Sequence, residues 1–166
     1  MTSEQDTAYL GMHITDRFAN YGMDIAKQAM RMSKDPSTKV GACIMSPDRR
    51  RTYGAWNGFP EGIRDDDRLH DRKEKYPIII HAEVNAVLNA GNDCLGGHLF
   101  VTLLPCSTCA AIAIQAGVQA VYVPMPTGEV IERWQGNMAI SLRLFKEAGV
   151  SVFQQHPVTR LWTILE

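Results

Sequence analysis

The sequence predicts an α/β protein: a three-layer α-β-α sandwich around a central mixed sheet of five strands. Three observations carry this. Two strand-like runs flank the turn Pro47-Asp48-Arg49-Arg50 and read as an opening hairpin. After them the hydrophobic pattern alternates helix, strand, helix, strand, helix, strand, an order that places helices over both faces of one sheet. The chain has 166 residues, enough for a sizeable core but short for two, so residues 1–166 form a single domain.

Each element has its own local reason. Residues 1–14 read as an N-terminal arm. A helix follows over about 16–32, where Phe18, Tyr21, Gly22, Ile25, Ala26, Ala29 and Met32 share a helical stripe. Thr15 is placed to cap it. The run Ser33 to Thr38, which contains Pro36, breaks the helix. Residues 39–45 read as a strand with Val40, Ala42 and Ile44 on one face, and 51–56 return as its partner. Residues 57–77 then form a long loop flanking the candidate active site. A loop this long inside a compact domain is usually functional or disordered. For its mixed-charge middle a solvated insertion is an equal reading, and a short helix inside it is possible. The next helix covers 81–90, with Val84, Val87 and Leu88 inward and Gly91 ending it. A strand over 98–104, a helix over 106–116 and a strand over 118–123 follow. The last helix covers 130–148, with Trp134, Met138, Leu142 and Phe145 on one side, before a strand at 150–153. The tail 157–166 is apolar through Leu161, Trp162, Ile164 and Leu165, and is expected to pack on the body or on another subunit.

Composition narrows the partners. The chain is 45% apolar and 21% charged, with net charge −1, so no global field draws it to nucleic acid or to anionic lipid. It has no apolar run of eighteen residues, hence no predicted membrane span. The start, MTSEQDTAYLGMH, lacks a basic region followed by an apolar stretch, so no signal peptide is expected and the cytoplasm is the expected compartment. In that reducing setting four cysteines are thiols or ligands rather than disulfides. Cys43 and Cys94 read as small core residues.

The chemistry gathers in two stretches, His81-Ala82-Glu83 and Pro105-Cys106-Ser107-Thr108-Cys109. Either alone is weak evidence. The first can open any helix, and the second can be a redox pair or half of a structural zinc site. Together they offer one imidazole and two thiolates, a set that suits tetrahedral zinc and leaves a fourth position for water, as catalytic sites do. No further Cys or His stands near enough to close the site. Cys106 and Cys109 are three apart and share a helix face. Pro105 suits a helix start, and the positive end of that helix favours thiolates. An intact Glu83 argues against a non-catalytic zinc-stabilised scaffold that binds nucleotides or a partner protein, since a structural site has no use for the carboxylate. His13, His70, His98 and His156 read as surface or loop residues. Trp56 and Phe59 suit either base stacking or packing of the hairpin and an interface.

The pattern H-x-E…P-C-x-x-C is the signature of zinc deaminases. Over most of its length the chain resembles the deoxycytidylate (dCMP) deaminases of the zinc-dependent cytidine deaminase superfamily. The resemblance runs through residues 33–42, 56–62, Lys75-Tyr76-Pro77, residues 81–86, the Cys106/Cys109 stretch, and Gln115-Ala116-Gly117-Val118. The two zinc motifs identify the superfamily, and the flanking segments point to the dCMP branch; adenosine deaminases acting on tRNA usually lack those segments.

What the resemblance implies is specific. The fold would be cytidine deaminase-like. His81, Cys106 and Cys109 would hold zinc and Glu83 would shuttle protons. The backbone N–H of Ala82 would bind the cytosine 2-oxo group, and Asn57 would meet the sugar. Phosphate would fall to the 33–39 segment or the 57–77 loop, with Lys34 and Lys39 as candidates. Some members carry an extra zinc-binding insertion before the His motif; here that region has His70 and no Cys, so one zinc per subunit is expected. The reaction would be hydrolysis of dCMP to dUMP and ammonia, supplying dTTP precursors. Zinc lowers the pKa of water from about 16 toward about 7, and Glu83 would carry protons to N3 and to the departing amine. A hexamer, activation by dCTP and inhibition by dTTP are implied by the resemblance alone. The alternatives are another cytosine nucleoside or nucleotide, a tRNA adenosine, or a polynucleotide as substrate. The last would call for base-stacking aromatics beside a basic groove, which the near-zero net charge does not support.

Overall fold

Strand β1 (Gly41–Met45) is buried at every position, and the sheet grows outward from it on both sides. It pairs antiparallel with β2 (Thr52–Trp56), Ala42 opposite Ala55, and antiparallel with β3 (His98–Val101), Ala42 opposite Val101. From β3 the sheet continues in parallel through β4 (Ala120–Pro124) and β5 (Ser151–Gln155), and β6 (Trp162–Leu165) closes it antiparallel to β5. The order is β2-β1-β3-β4-β5-β6. This computed structural model describes residues 14–126 and 128–165, without the side chains of 129–135. The predicted mixed sheet between helices stands, with six strands among the described residues in place of five. The sixth comes from the tail: Leu165 pairs with Val152, and the Trp162 ring meets the edge of Tyr122 at 5.3 Å between centroids. Pairing there satisfies an edge that β5 would otherwise expose.

One face is covered by α1 (Asp16–Met30). Its Ala19, Met23 and Ala26 pack on Cys43, Met45, Phe100 and Tyr122. Small residues set the spacing. A Cβ at Gly41 would fall 1.9 Å from the Ala26 carbonyl oxygen, and one at Gly22 would fall 2.4 Å from the Phe100 ring. The buried stripe is therefore rotated from the expected one. Ala19 and Met23 face the sheet, while Tyr21 and Met32 are 53% and 58% exposed, because close approach selects for small side chains rather than for the most apolar ones. Thr15 occupies the N-cap position, but its side chain makes no capping bond.

The other face carries α2 (Ala82–Ala90), α3 (Ser107–Gln115) and α4 (Gly128–Glu147). Ala82, Ala86, Ala110, Ala113 and Phe145 share a core with Ala42, Ile44, Leu99, Val101 and Val121. Leu88, expected inward, is 71% exposed; the inner face of α2 is made by alanines and by Glu83. Met138 and Leu142 are half-buried and Phe145 is buried, while the side chain of Trp134 lies outside the described residues. His98, expected at the surface, is buried, because β3 is covered on both faces; its ring lies 5.9 Å from that of Tyr122. Cys43 and Cys94 are free and buried, as expected.

The 57–77 loop is ordered by short helical pieces. A 3-10 turn (Asp67–His70) and one α-helical turn (Arg72–Lys75) are capped by the Asp66 and Asp71 carboxylates, which accept from Arg68 N–H and Lys73 N–H. A single antiparallel bridge, Gly58 to Ile80, closes its base. Of the expected arm at 1–14, residues 1–13 lie outside the described residues, among which no helix is long and apolar enough to cross a membrane.

Candidate metal centre and adjoining pocket

Two helix starts meet at one point. His81 is the N-cap residue of α2, and Cys106 is the N-cap of α3, where its sulfur accepts the Cys109 N–H at 3.5 Å. Extended backbone at both caps (φ −73°, ψ 151° and φ −67°, ψ 166°) turns the side chains off the helix axes. Cys109 follows within the first turn of α3. His81 Nδ1 lies 3.6 Å from Cys106 Sγ and 3.3 Å from Cys109 Sγ. Ligands held at zinc–nitrogen and zinc–sulfur distances around a tetrahedral ion stand about 3.6 Å apart. The observed spacing fits that ion, and soft thiolates with imidazole are its preferred donors. Among the described residues this is the one His, Cys, Asp and Glu group tight enough to hold a metal.

The electrostatics show three groups competing for protons. The Cys106 thiol is pushed down to about 4, first by a hydrogen bond from Cys109 and then by His81. Cys109 is pushed up, chiefly by its bond to Cys106 and by burial. The His81 imidazole is raised by its contact with Cys106. A divalent cation satisfies all three in place of shared protons. Glu83, the second residue of α2, is buried. Burial raises its carboxyl above the ordinary range, against a backbone N–H and His81, which lower it. A carboxyl so placed exchanges protons nearer neutral pH than a free one.

The corner that presents Cys106 is held from outside the motif. Asn137 Oδ1 accepts the Ser107 N–H at 2.7 Å, and the buried Ser141 hydroxyl donates to the Pro105 carbonyl at 2.8 Å. Both come from α4. Sequence reasoning missed them, and nothing in their spacing announces the contact.

A pocket opens beside this centre. His81, Ala82, Glu83, Leu103, Leu104 and Cys106 form part of its wall; Asp35, Ser37, Thr38, Val40, Asn57, Lys75, Tyr76 and Ile79 form the rest. The structure thus brings together six of the eight residues singled out from sequence: the three candidate ligands, Glu83, Ala82 and Asn57. Asn57 is buried and braced against the opposite wall, with one amide hydrogen still uncommitted among the described residues. Its Oδ1 accepts the Val40 N–H at 2.8 Å, and its Nδ2 donates to the Thr38 carbonyl at 2.9 Å. Asn85, on α2, donates to the Trp56 carbonyl at 2.8 Å and fixes the chain just before it. Lys34 and Lys39 are not brought in. Lys34 is 70% exposed and pairs with Asp65 at 2.6 Å, Lys39 is exposed, and neither lines the pocket. The lysine that does is Lys75, buried against Asp35 at 2.9 Å and donating to Ser37 Oγ at 2.7 Å. In a run of mixed charge a lysine reads as solvated, so composition hid it.

Comparison with known proteins agrees with this geometry. Residues 16–125 match the family model described as the cytidine and deoxycytidylate deaminase zinc-binding region. A protein of Aliivibrio fischeri named as an uncharacterized deaminase in the luxG 3′ region is 39% identical over 136 residues, 82% of this chain and 92% of its own. The deoxycytidylate deaminase of Mus musculus is 40% identical over 108 residues, 61% of either chain, so the chain matches about three fifths of that relative's length. Among solved structures, the dCMP deaminase of cyanophage S-TIM5 in complex with dCMP and dUMP superposes with a TM-score of 0.67. It is 23% identical, and the match covers 86% of this chain and all of that one; it is a likeness of fold.

Proposed function

The chain belongs to the cytidine and deoxycytidylate deaminase zinc-binding family, and from that premise we propose that it hydrolyses dCMP to dUMP and ammonia. The observation that carries the reading is the His81, Cys106 and Cys109 triad with a buried Glu83 on the wall of the same pocket. The names of the mouse and cyanophage relatives support dCMP as the substrate.

In this reading His81, Cys106 and Cys109 would hold one zinc per chain, which when bound would lower the pKa of a water in the pocket toward neutral. Glu83 takes the proton of that water, holds it in an environment that favours the protonated carboxyl, and gives it to N3 of the base. The deprotonated water oxygen forms a bond to C4. Glu83 then moves the proton of that new C4 hydroxyl to the amino nitrogen, so that the C4–N bond breaks, ammonia leaves and the C4 carbonyl of dUMP remains. The Ala82 N–H, at the first position of α2, has no partner within its helix and donates to the cytosine 2-oxo group. Asn57, braced by its bonds to Val40 and Thr38, turns its remaining amide hydrogen toward the sugar. The phosphate is met by the 33–39 segment, which brings Ser37 and Thr38 to the pocket wall; Lys34 and Lys39, outside that lining, add positive charge beside the segment. The family resemblance further supports a cytoplasmic hexamer in dTTP-precursor metabolism, activated by dCTP and inhibited by dTTP.

The test is ammonia release by zinc-loaded protein from cytosine, cytidine, deoxycytidine, dCMP, CMP, dCTP and adenosine, with metal content and light-scattering mass measured alongside. dCMP is expected to give the highest kcat/KM, with one zinc per chain and a hexameric mass. Equal turnover of deoxycytidine would make the protein a nucleoside deaminase, and release from none of them would leave the scaffold reading.

A further inference from the structure

Asp35 is buried to 3% exposure, yet it lines the pocket. Its two carboxylate oxygens are used very differently. Oδ1 accepts four hydrogen bonds: from Lys75 Nζ at 2.9 Å, Ser37 N–H at 2.8 Å, Ser37 Oγ at 2.9 Å and Thr38 N–H at 3.0 Å. Oδ2 accepts none among the described residues, and it is not one of the polar atoms sealed away without a partner. Asp35 lines the pocket, and Oδ2 is its carboxylate oxygen with bonding capacity left. One oxygen is clamped, and the other is presented to whatever the pocket holds.

We infer that Asp35 Oδ2 accepts a hydrogen bond from the 3′-hydroxyl of a bound deoxynucleotide and so makes Asp35 a specificity-determining residue; this rests on the nucleotide reading above. An ionised carboxylate only accepts, so its partner must bring a proton. A phosphate at neutral pH has none to spare and would be repelled. The C4 amino group is a donor, but it must lie at Glu83 to leave. On a 2′-deoxynucleoside 5′-monophosphate the 5′ oxygen is esterified and the 2′ carbon bears none, so the 3′-hydroxyl is the one donor left on the sugar. Asn57 meets the sugar as a donor through its remaining amide hydrogen, its carbonyl oxygen being already bonded to the Val40 N–H, whereas Asp35 Oδ2 is an acceptor with no bond yet made among the described residues. The clamp on Oδ1 fixes the carboxylate before the ligand arrives, and a pre-positioned acceptor discriminates against ligands that leave it unpaired.

The experiment compares kcat/KM for dCMP and for 2′,3′-dideoxycytidine 5′-monophosphate in the zinc-loaded protein. A hydrogen bond to a charged group is worth about 10- to 150-fold, so the wild type is expected to prefer dCMP by at least about tenfold. The second arm is the double variant Asp35→Ala with Lys75→Met, which removes the carboxylate without leaving a buried cation unpaired. There the preference is expected to collapse toward unity, whereas a merely structural role would lower both substrates together and keep the ratio. A wild-type preference below tenfold overturns the inference even if the variant does not fold. So does a zinc-binding double variant that retains the wild-type ratio. If wild type releases no ammonia from dCMP, the functional reading itself fails and this one falls with it.

Discussion

Lys75→Met tests how much the buried pair behind the pocket contributes. The substitution keeps most of the stem volume and removes the ammonium. The Lys75 and Asp35 side chains are 2% and 4% exposed and 2.9 Å apart. Removing one partner from a pair this buried leaves an uncompensated charge and costs about 3–5 kcal/mol. Asp35 Oδ1 would keep its bonds from Ser37 and Thr38, which places the cost at the lower end, about 3 kcal/mol. The internal control is Lys34→Met. Its pair with Asp65 is shorter, 2.6 Å, but Lys34 is 70% exposed, and exposed pairs contribute about 0–1 kcal/mol. For a chain of this length each kcal/mol moves Tm by about 2–4 °C. Lys75→Met should therefore melt about 6–12 °C below wild type and Lys34→Met less than about 4 °C below. Urea and thermal unfolding of the zinc-loaded proteins at pH 7 read both. A Lys75→Met protein within about 1 kcal/mol of wild type, or a Lys34→Met protein equally damaged, would show that burial does not decide the strength of these pairs.

The same pair sets an acid limit. Burial raises the Asp35 carboxyl, but Lys75 and the Ser37 and Thr38 bonds outweigh it and hold it below the ordinary 3.8. A depressed carboxyl stabilises the fold above that value and loses the contribution as pH falls through its folded pKa; unfolding measured below pH 3.8 should therefore weaken wild type more steeply than the Asp35→Ala, Lys75→Met double variant. Glu83→Gln is expected to retain zinc and fold while losing at least about 10²–10⁴-fold in ammonia release; substantial activity would assign the proton transfers to another group. Asn137→Ala frees the Ser107 N–H at the metal corner and should weaken zinc retention against a chelator by about 10–100-fold, with the melting of metal-free protein little changed. Gly41→Ala drives a methyl into the Ala26 carbonyl oxygen, 1.9 Å from the ideal Cβ position. Because backbone must move, the loss should reach about 3 kcal/mol, the upper part of the overpacking range, and an unfolding free energy within about 1 kcal/mol of wild type would show that α1 can shift off the sheet at little cost.

The sequence by itself determined whatever the chain settles over a few residues. Alternation of helical and extended patterns gave the layered sheet, because periodicity follows from backbone geometry. The three-residue spacing of Cys106 and Cys109 made the half-site legible before folding. A helix start joins them rather than a shared helical face: Cys106 is the extended N-cap with Pro105 ahead of it, and Cys109 lies in the first turn. The identity of His81 and Glu83 as imidazole and carboxylate was equally plain, since donor chemistry belongs to the side chain. Tertiary structure decided what depends on neighbours far along the chain. The α1 stripe turned toward its small residues because Gly41 and Gly22 let the helix lie close. Leu88 went outward because alanines and Glu83 made the inner face of α2. His98 went inward because both faces of β3 are covered. Lys75, one of several lysines in a charged run, became buried because Asp35, forty residues earlier, was folded against it. Lys34, with its own aspartate, stayed in water. The Pro105-to-Ser107 corner took its support from Asn137 and Ser141 on a helix that follows an intervening strand. A local pattern fixes which direction a side chain leaves the backbone, but only the packed neighbours fix how much water and charge it finds there, and that environment sets whether a lysine is a surface group or a brace.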